Sequence, residues 1–134
     1  MSIEKAAIKI VEEFLGALSD FEFEDAAVLV HENCVYKNVP FHTEEGKERV
    51  VGVLRTMMKR MTLFDVKMIH IAANGNVVLT ERIDSLGGKF FKADINLMGA
   101  FVVEEGKIIE WRDYFDWSSS GGRFLKGIFG KVFS

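Results

Sequence analysis

The 134-residue sequence has one cysteine, one proline and only three histidines. A single cysteine forms no internal disulfide, and these few residues provide too few spaced ligands for a dedicated metal site. The chain has 17 Lys and Arg residues and 20 Asp and Glu residues, so basic residues are not in excess. This argues against a general nucleic-acid binder, which needs a basic stripe. No apolar run reaches the roughly 18–20 residues of a membrane span, and the acidic N-terminal segment is unlike a signal peptide. We therefore expect a cytoplasmic protein that binds no nucleic acid or metal and does not insert stably into membranes.

The rest of the composition is typical of a folded protein. Hydrophobic residues make up 49% of the chain and charged residues 28%, which is enough apolar surface for a core and excludes global disorder. No linker, internal repeat or low-complexity tract divides the sequence. At this length we expect one domain over residues 1–134.

Hydrophobic periodicity predicts helices first and strands afterwards. Apolar residues recur every three or four positions, as on one face of a helix, in segments 3–18, 23–30 and 44–61. The period then changes to two, which predicts strands at 65–73, 77–86, 90–103 and 107–117, after a short strand at 35–39. Asn74-Gly75 favours a type I′ hairpin. This order indicates an α+β fold with helices covering one face of a sheet.

The last predicted strand places a carboxylate among aromatic residues. Alternation puts these side chains on one face: Ile109, Trp111, Asp113, Phe115 and Trp117. Because the opposite face is polar, the aromatic face must point inward, and Asp113 points with it. A buried carboxylate needs a partner or a proton.

Arg82 and Asp84 share one face of the strand at 77–86. One interpretation is a solvated ion pair, because charged residues in strands are usually exposed. If this strand neighbours the last one, Arg82 instead joins Asp84 and Asp113 in a carboxylate–guanidinium–carboxylate triad. Such a triad favours one protonated and one ionised acid, as push–pull acid–base catalysis requires. Tyr36 and Asn38, which share a face of the short strand, would orient a water or a substrate oxygen.

Three motifs resemble those of the limonene-1,2-epoxide hydrolase family. They are Tyr36-Lys37-Asn38-Val39-Pro40, Thr80-Glu81-Arg82-Ile83-Asp84 and Trp111-Arg112-Asp113-Tyr114-Phe115-Asp116. The likeness extends over residues 31–116, and the combination is specific although each motif alone is weak. The resemblance implies a cone-shaped α+β fold of the nuclear-transport-factor-2-like or polyketide-cyclase-like type. In that fold, N-terminal helices pack on a strongly curved antiparallel or mixed sheet that encloses an apolar pocket.

The resemblance also implies an activity. Members of the family hydrolyse epoxides to vicinal diols in one step, without metal, cofactor or covalent intermediate, and the apolar lining here suits a terpene-like substrate. Asp113 resembles the general base, Tyr36 and Asn38 the other holders of the attacking water, Asp84 the general acid and Arg82 the bridge between both carboxylates. The expected lining residues are Leu86, Ile95, Leu97, Phe115, Met57 and Met61. The family likeness and the long strands also suggest a homodimer.

Two other functions remain alternatives. An isomerase or cyclase on the same scaffold, of the ketosteroid-isomerase-like or polyketide-cyclase-like kind, needs a base and an oxyanion-stabilising donor but no bridging arginine. A non-catalytic module that binds small molecules needs no pair of inward acids. The segments that depart most from the family pattern are residues 41–43 and the aromatic tail from residue 117. Because the tail is short and contains glycines, we expect it to pack over the pocket or at a subunit interface; a helix on a membrane surface is the alternative. His70 is expected to be a hydrogen-bonded core histidine.

Overall fold

Three helices lie in the N-terminal half of the chain, as predicted. The structure, a computed structural model, describes residues 2–39 and 42–116. The helices are α1 (Ile3–Ser19), α2 (Phe23–Ala27) and α3 (Lys47–Arg60). The hydroxyl oxygen of Ser2 accepts a hydrogen bond from the backbone N–H of Lys5 and so caps α1. The second helix is shorter than predicted, because the chain is already extended at Val30.

Six strands form one mixed sheet. They are β1 (Val30–Val39), β2 (His42–Glu45), β3 (Leu63–Asn74), β4 (Val77–Gly88), β5 (Phe91–Glu104) and β6 (Lys107–Phe115). Their order across the sheet is β2-β1-β6-β5-β4-β3. All neighbours are antiparallel except β1 and β6, which run parallel. The predicted meander of long strands is therefore present, and the parallel pairing brings an early strand beside the last one.

The helices cover one face of the sheet, here called the inner face; the opposite side is the outer face. Val11, Phe14 and Leu18 of α1 repeat every three or four residues and are buried in the core. They meet inward side chains of the strands, among them Phe101 and Ile108, which are fully buried. The sheet is curved and unclosed. The prediction of an α+β fold with helices on one sheet face is confirmed.

Two β-bulges change the side-chain alternation. A bulge in β6 turns Ile108 inward with 0% exposure, whereas Ile109, the predicted inward residue, is partly exposed. A bulge in β3 lies between Met68 and His70. His70 is hydrogen-bonded, as predicted, through Nδ1 to Glu81 at 2.8 Å, but its side chain is 81% exposed, so its predicted place in the core is wrong. An inserted residue reverses the faces of all side chains beyond it, and the sequence pattern carries no clear sign of the insertion.

The predicted type I′ turn is found at a different hairpin. Glu105 and Gly106 connect β5 to β6 with φ values of 55° and 73°, and this turn type requires positive φ at both central residues. Between β3 and β4, Gly75 has a φ of 59°, but neither Asn74 nor Asn76 has a positive φ. The type I′ assignment to Asn74-Gly75 is therefore wrong.

Residues 42–45 form the short strand β2, although part of this segment was predicted to begin the third helix. It pairs antiparallel with β1, from Val35 with Glu45 to Asn38 with His42. The pairing is a long-range contact that helical periodicity does not report. The predictions for Trp117 and for the aromatic tail lie outside the described residues, so the single domain over residues 1–134 stays a prediction.

Candidate active site

Five polar side chains are buried on the inner face. They are Asn38 of β1, Thr80, Arg82 and Asp84 of β4, and Asp113 of β6, with exposures of 1%, 1%, 1%, 6% and 3%. Alternation predicted the inward direction of Arg82, Asp84 and Asp113, because no bulge interrupts β4 or the end of β6. The alternative of a solvated ion pair between Arg82 and Asp84 is wrong. Charged groups at this depth need partners.

The guanidinium group of Arg82 bridges the two carboxylates. Its Nε donates to Oδ1 of Asp84 at 3.1 Å, and its Nη2 donates to Oδ2 of Asp84 at 3.0 Å. The same Nη2 donates to Oδ1 of Asp113 at 3.3 Å, and Nη1 donates to the Thr80 hydroxyl at 3.2 Å. The planar fork of arginine suits this bidentate contact. The three side chains proposed for the triad are thus in contact.

The bridge crosses a strand that the sequence hypothesis omitted. The hypothesis required β4 and β6 to be neighbours, but β5 lies between them. Gly99 of β5 is in register with Thr80 on one side and Asp113 on the other. A Cβ atom at Gly99 would stand 2.5 Å from Nη1 of Arg82, so the missing side chain makes room for the guanidinium group. A glycine inside a strand is a typical sign of such a close approach.

Trp111 and Thr80 are further contacts that the sequence interpretation missed. The indole Nε1 of Trp111 donates to Oδ1 of Asp113 at 2.9 Å, whereas the sequence interpretation treated this tryptophan only as an apolar neighbour. The Thr80 hydroxyl, besides accepting from Arg82, donates to the carbonyl oxygen of Gly99 at 3.4 Å. Thr80 lies two residues before Arg82, and Trp111 lies two residues before Asp113, so each shares a strand face with a triad member. This spacing could have predicted both contacts.

Tyr36 and Asn38 lie beside Asp113 because β1 runs parallel to β6. Asn38 is paired with Asp113 across the two strands, and Tyr36 with Trp111. Both polar side-chain atoms of Asn38 are buried and have no hydrogen-bond partner within residues 2–39 and 42–116. An unpaired buried amide costs free energy, so this group is a candidate to hold a water or a substrate oxygen.

The surroundings change how these groups ionise. Burial raises the pKa of Asp113 to about 6, and the charge of Asp84 adds to this rise, whereas Arg82 and the Trp111 N–H oppose it. Burial also raises the pKa of Tyr36 well above its ordinary range, so its hydroxyl keeps its proton. Burial lowers the pKa of Arg82, but the two carboxylates raise it by more and hold the guanidinium charged. Asp113 can therefore exchange a proton near neutral pH.

An apolar cavity adjoins this cluster, between the helices and the inner face. Its volume is ≈ 40 Å³ when only the space open to the centre of a water-sized sphere is counted. Five of the six predicted lining residues are on its wall: Leu86, Ile95, Phe115, Met57 and Met61. Leu97 is buried but is not on this wall, although it stands in register between Arg82 and Phe115, which are.

The helices and β3 supply lining residues that the prediction missed. They are Leu15, Leu18, Leu54, Met58 and Phe64. An amphipathic stripe shows which helix face is buried, but the docking of the helix determines which buried residue meets the cavity.

The described residues contain neither a metal-binding cluster nor a membrane span. Within residues 2–39 and 42–116, no group of three His, Cys, Asp or Glu side chains is arranged to hold a metal ion. No helix in this part of the chain is long and apolar enough to cross a membrane.

Known proteins share both the sequence and the fold of this chain. Residues 5–120 match the family model of the limonene-1,2-epoxide hydrolase catalytic domain. The chain is 37% identical over 118 residues to epoxide hydrolase EphG of Mycobacterium tuberculosis, which covers 88% of this chain and 78% of that protein. A solved structure of an LEH-like epoxide hydrolase from M. tuberculosis superimposes with a TM-score of 0.83 at 36% identity, covering 96% of each chain.

More distant structures share the fold alone. A SnoaL-like protein from Shewanella putrefaciens has a TM-score of 0.77 at 11% identity, covering 90% of this chain and 96% of that one. These likenesses confirm the predicted cone-type fold. At such low identity they give no support to an isomerase or cyclase activity.

Proposed function

Because the chain belongs to the limonene-1,2-epoxide hydrolase family and is an epoxide hydrolase, we propose that it opens a lipophilic, terpene-like epoxide to a vicinal diol in one step. Water is the nucleophile, and no metal, cofactor or covalent intermediate takes part. The observation that carries this proposal is the Asp84–Arg82–Asp113 triad, buried on the wall of an apolar cavity. The triad combines a proton donor and a proton acceptor at one reaction centre.

Asp113 is the general base in this proposal, and its neighbours support the assignment. Both carboxylates accept hydrogen bonds from Arg82, two at Asp84 and one at Asp113, so contact with Arg82 does not by itself identify the base. Strand β1, however, adjoins β6 and not β4, and it places Tyr36 and Asn38 beside Asp113. A protonated phenol and an unpaired amide are suited to hold a water against this carboxylate. With a pKa of about 6, Asp113 is mostly ionised at neutral pH and accepts the proton of that water.

Asp84 is the general acid at the other end of the bridge. Its carboxyl group lies on the cavity wall, where the oxygen of a bound epoxide would be. When both acids are ionised, the triad has one more negative than positive charge. In the proposed reaction, as the family resemblance implies, Asp84 carries the proton that the leaving oxygen receives. An alkoxide left unprotonated in this apolar surrounding would be strongly disfavoured.

The proposed step balances within the triad. The water oxygen bonds to an epoxide carbon while Asp113 takes one proton from the water. The carbon–oxygen bond of the ring breaks, and the oxygen receives the proton of Asp84. The product is a diol, and the enzyme has moved one proton from Asp84 to Asp113 in effect. Return of this proton to Asp84 restores the starting state, and Arg82 keeps both carboxylates in position throughout.

The cavity supports a lipophilic substrate. Leucine, isoleucine, methionine and phenylalanine side chains form most of its wall, and the residues with polar groups are the triad, Tyr36 and Trp111. Such a wall gains affinity from the apolar area of a ligand, while the few polar groups orient its reactive atoms. A terpene-like epoxide, with one oxygen on a hydrocarbon body, matches this distribution.

We further propose that the protein is a homodimer formed through the outer face. Leu79, Met98 and Tyr114 lie on the adjacent strands β4, β5 and β6, and Ile69 lies on β3; their exposures are 52%, 55%, 45% and 42%. Contiguous apolar patches on a soluble surface mark interaction sites. A two-fold axis would bring the same patch of a second copy against this one and cover both.

Diol formation from a panel of epoxides tests the proposed reaction. The purified protein is assayed with limonene-1,2-epoxide, a linear lipophilic epoxide and glycidol, with a metal chelator present. We expect turnover of the lipophilic epoxides, little turnover of glycidol, and a single atom of oxygen from labelled water in the diol. D113N and D84N should each lose about 10³-fold or more in kcat, because each removes a proton-transfer group.

Asp94→Asn is the matched control, since this acid lies on β5 and is exposed. Its carboxylate accepts a hydrogen bond from the Ser85 hydroxyl at 2.7 Å and does not belong to the triad. Its activity should equal that of the unmodified protein. If D113N retained turnover while folded, Asp113 would not be the base. Loss of activity with the chelator alone would contradict the metal-free step.

A further inference from the structure

The two oxygens of the Asp113 carboxylate have different surroundings. Oδ1 accepts two hydrogen bonds, from Trp111 Nε1 at 2.9 Å and from Arg82 Nη2 at 3.3 Å. Oδ2 accepts none from the residues that the structure describes. An oxygen with two donors is stabilised as an acceptor and is the weaker base of the two. The geometry therefore distinguishes two atoms that a free carboxylate makes equivalent.

The indole of Trp111 is held in place by packing. Its ring lies 5.2 Å from that of Phe14 in an edge-to-face arrangement, 4.3 Å from that of Tyr36 and 6.0 Å from that of Phe101. The residue is 5% exposed. Contacts on several sides leave the indole little freedom to rotate, so its N–H is pre-organised towards Asp113.

We propose that Trp111 is a positioning residue that, together with Arg82, occupies Oδ1 of Asp113 and leaves Oδ2 as the oxygen that takes the proton from water. This inference rests on the proposed role of Asp113 as the base. Trp111 is on the cavity wall, and in this proposal it acts through its hydrogen bond to the Asp113 carboxylate. It sets the rotation of that carboxylate about its Cβ–Cγ bond and lowers its affinity for a premature proton.

The neighbours of Asp113 define what the indole N–H contributes. Arg82 and Asp84 face it from β4, and Tyr36 faces it from β1. Helices α1 and α3 contribute only leucine and methionine side chains to the described cavity wall. The guanidinium, the second carboxylate and the phenol all remain when the indole N–H is removed. The ionised form of Asp113 then loses one donor, and its pKa must rise above about 6.

The test replaces the N–H and follows Asp113 directly. Two variants are made: W111F, and the full chain with β-(3-benzothienyl)alanine at position 111, which keeps the bicyclic shape and has sulfur in place of N–H. The carboxyl carbons of aspartate are titrated by ¹³C NMR in the ligand-free enzyme. We expect the pKa of Asp113 to rise by about 1 unit in both variants. The acid limb of the kcat/KM profile should move to higher pH by the same amount.

Phe14→Leu is the control for packing. This residue contacts the Trp111 ring and is fully buried, but it does not line the cavity and its side chain cannot form a hydrogen bond to the triad. The control should lower stability without moving the pKa of Asp113. If Trp111 had only a structural role, the Trp111 variants would likewise lose stability while the pKa of Asp113 stayed unchanged. If W111F does not fold, the benzothienyl variant still gives the result, because it retains the shape of the side chain.

The outcomes separate this inference from the proposed function. An unchanged pKa of Asp113 in the benzothienyl variant overturns the inference and leaves the base assignment intact. If the pKa of Asp113 rises but the acid limb of the kcat/KM profile does not move, Asp113 is not the base. The Trp111 contact then has no catalytic role either. A shift of both by the same amount supports the inference.

Discussion

The inner face of the sheet buries charged side chains, whereas its outer face exposes apolar ones. On the inner face Arg82 is 1% exposed and Asp113 is 3% exposed. On the outer face, Leu79 of β4 is 52% exposed and Met98 of β5 is 55% exposed. Leu79 and Arg82 are only three residues apart on β4. A buried charged side chain and an exposed apolar one thus lie close together on the same strand, although charged side chains are usually exposed and apolar ones usually buried.

The two faces resolve this conflict in different ways. The inner charges are stabilised inside the molecule, because the fork of Arg82 reaches both acids, and Thr80 and Trp111 supply further hydrogen bonds. Replacing such a network by apolar residues would often make a protein more stable, so its presence indicates chemistry. The outer apolar groups find no such partners within the described residues of the chain and point to a second molecule.

Removal of the bridging charge should have the largest effect. Arg82→Met leaves two buried carboxylates without a counter-ion, and we expect a loss of about 3–5 kcal/mol in the free energy of unfolding at pH 7.5. Without Arg82 the pKa of Asp113 rises further, so the folded state binds protons more tightly than the unfolded one. Stability is then lost as pH rises, and the deficit should shrink towards pH 4. Urea denaturation at several pH values measures this.

Glu81→Gln, the outer-face neighbour, is the matched control for Arg82→Met. Glu81 pairs with His70 at 2.8 Å, and the two side chains are 46% and 81% exposed. Loss of this exposed pair should cost less than about 1 kcal/mol. Equal effects of the two substitutions would contradict the contrast between the faces.

A methyl group at Gly99 should have the next largest effect. In Gly99→Ala the Cβ would stand 2.5 Å from Arg82 Nη1, 2.8 Å from the Thr80 hydroxyl and 3.1 Å from Asp113 Oδ1. The guanidinium must move, and we expect kcat to fall about 10²-fold while the fold is retained with a loss of about 1–3 kcal/mol. Steady-state kinetics and thermal unfolding measure the two effects.

The control for this substitution is Gly52→Ala in α3. A Cβ at Gly52 meets nothing within 4 Å, and alanine is the better helix former. Stability should rise by about 0.5–1 kcal/mol, and kcat should not change. If Gly99→Ala were as harmless as Gly52→Ala, the guanidinium would not depend on the gap in β5.

The smallest effect on the folded chain is expected from the outer face. Leu79→Lys removes an exposed apolar group, so monomer stability should change by no more than about 0.5 kcal/mol. Self-association should be lost, because the lysine would place a charge in the proposed interface. Sedimentation equilibrium measures the mass. Val28→Lys, at a residue that is 58% exposed after α2, should leave the mass unchanged. A Leu79→Lys protein that still associates would exclude this face as the contact.

The sequence was sufficient for much of the fold and part of the site. The helix and strand segments followed from periods of 3.6 and 2, and the inward direction of Arg82, Asp84 and Asp113 followed from alternation along uninterrupted strands. Ile109 and His70 were misplaced, because a bulge reverses the alternation and leaves no clear mark in the residue pattern. The roles of the site residues were suggested by the family resemblance and remain proposals.

Local periodicity thus determined which side chains share a face, since alternation depends only on the chain geometry within each strand. The neighbours of each strand depend on the folding of the entire sheet. Because β1 pairs with β6, Tyr36 and Asn38 lie beside Asp113. Because β5 lies between β4 and β6, the Arg82 side chain must pass over Gly99 to reach Asp113. These are contacts between residues far apart in the chain, and they form only when loop closure is repaid by the packing of all six strands.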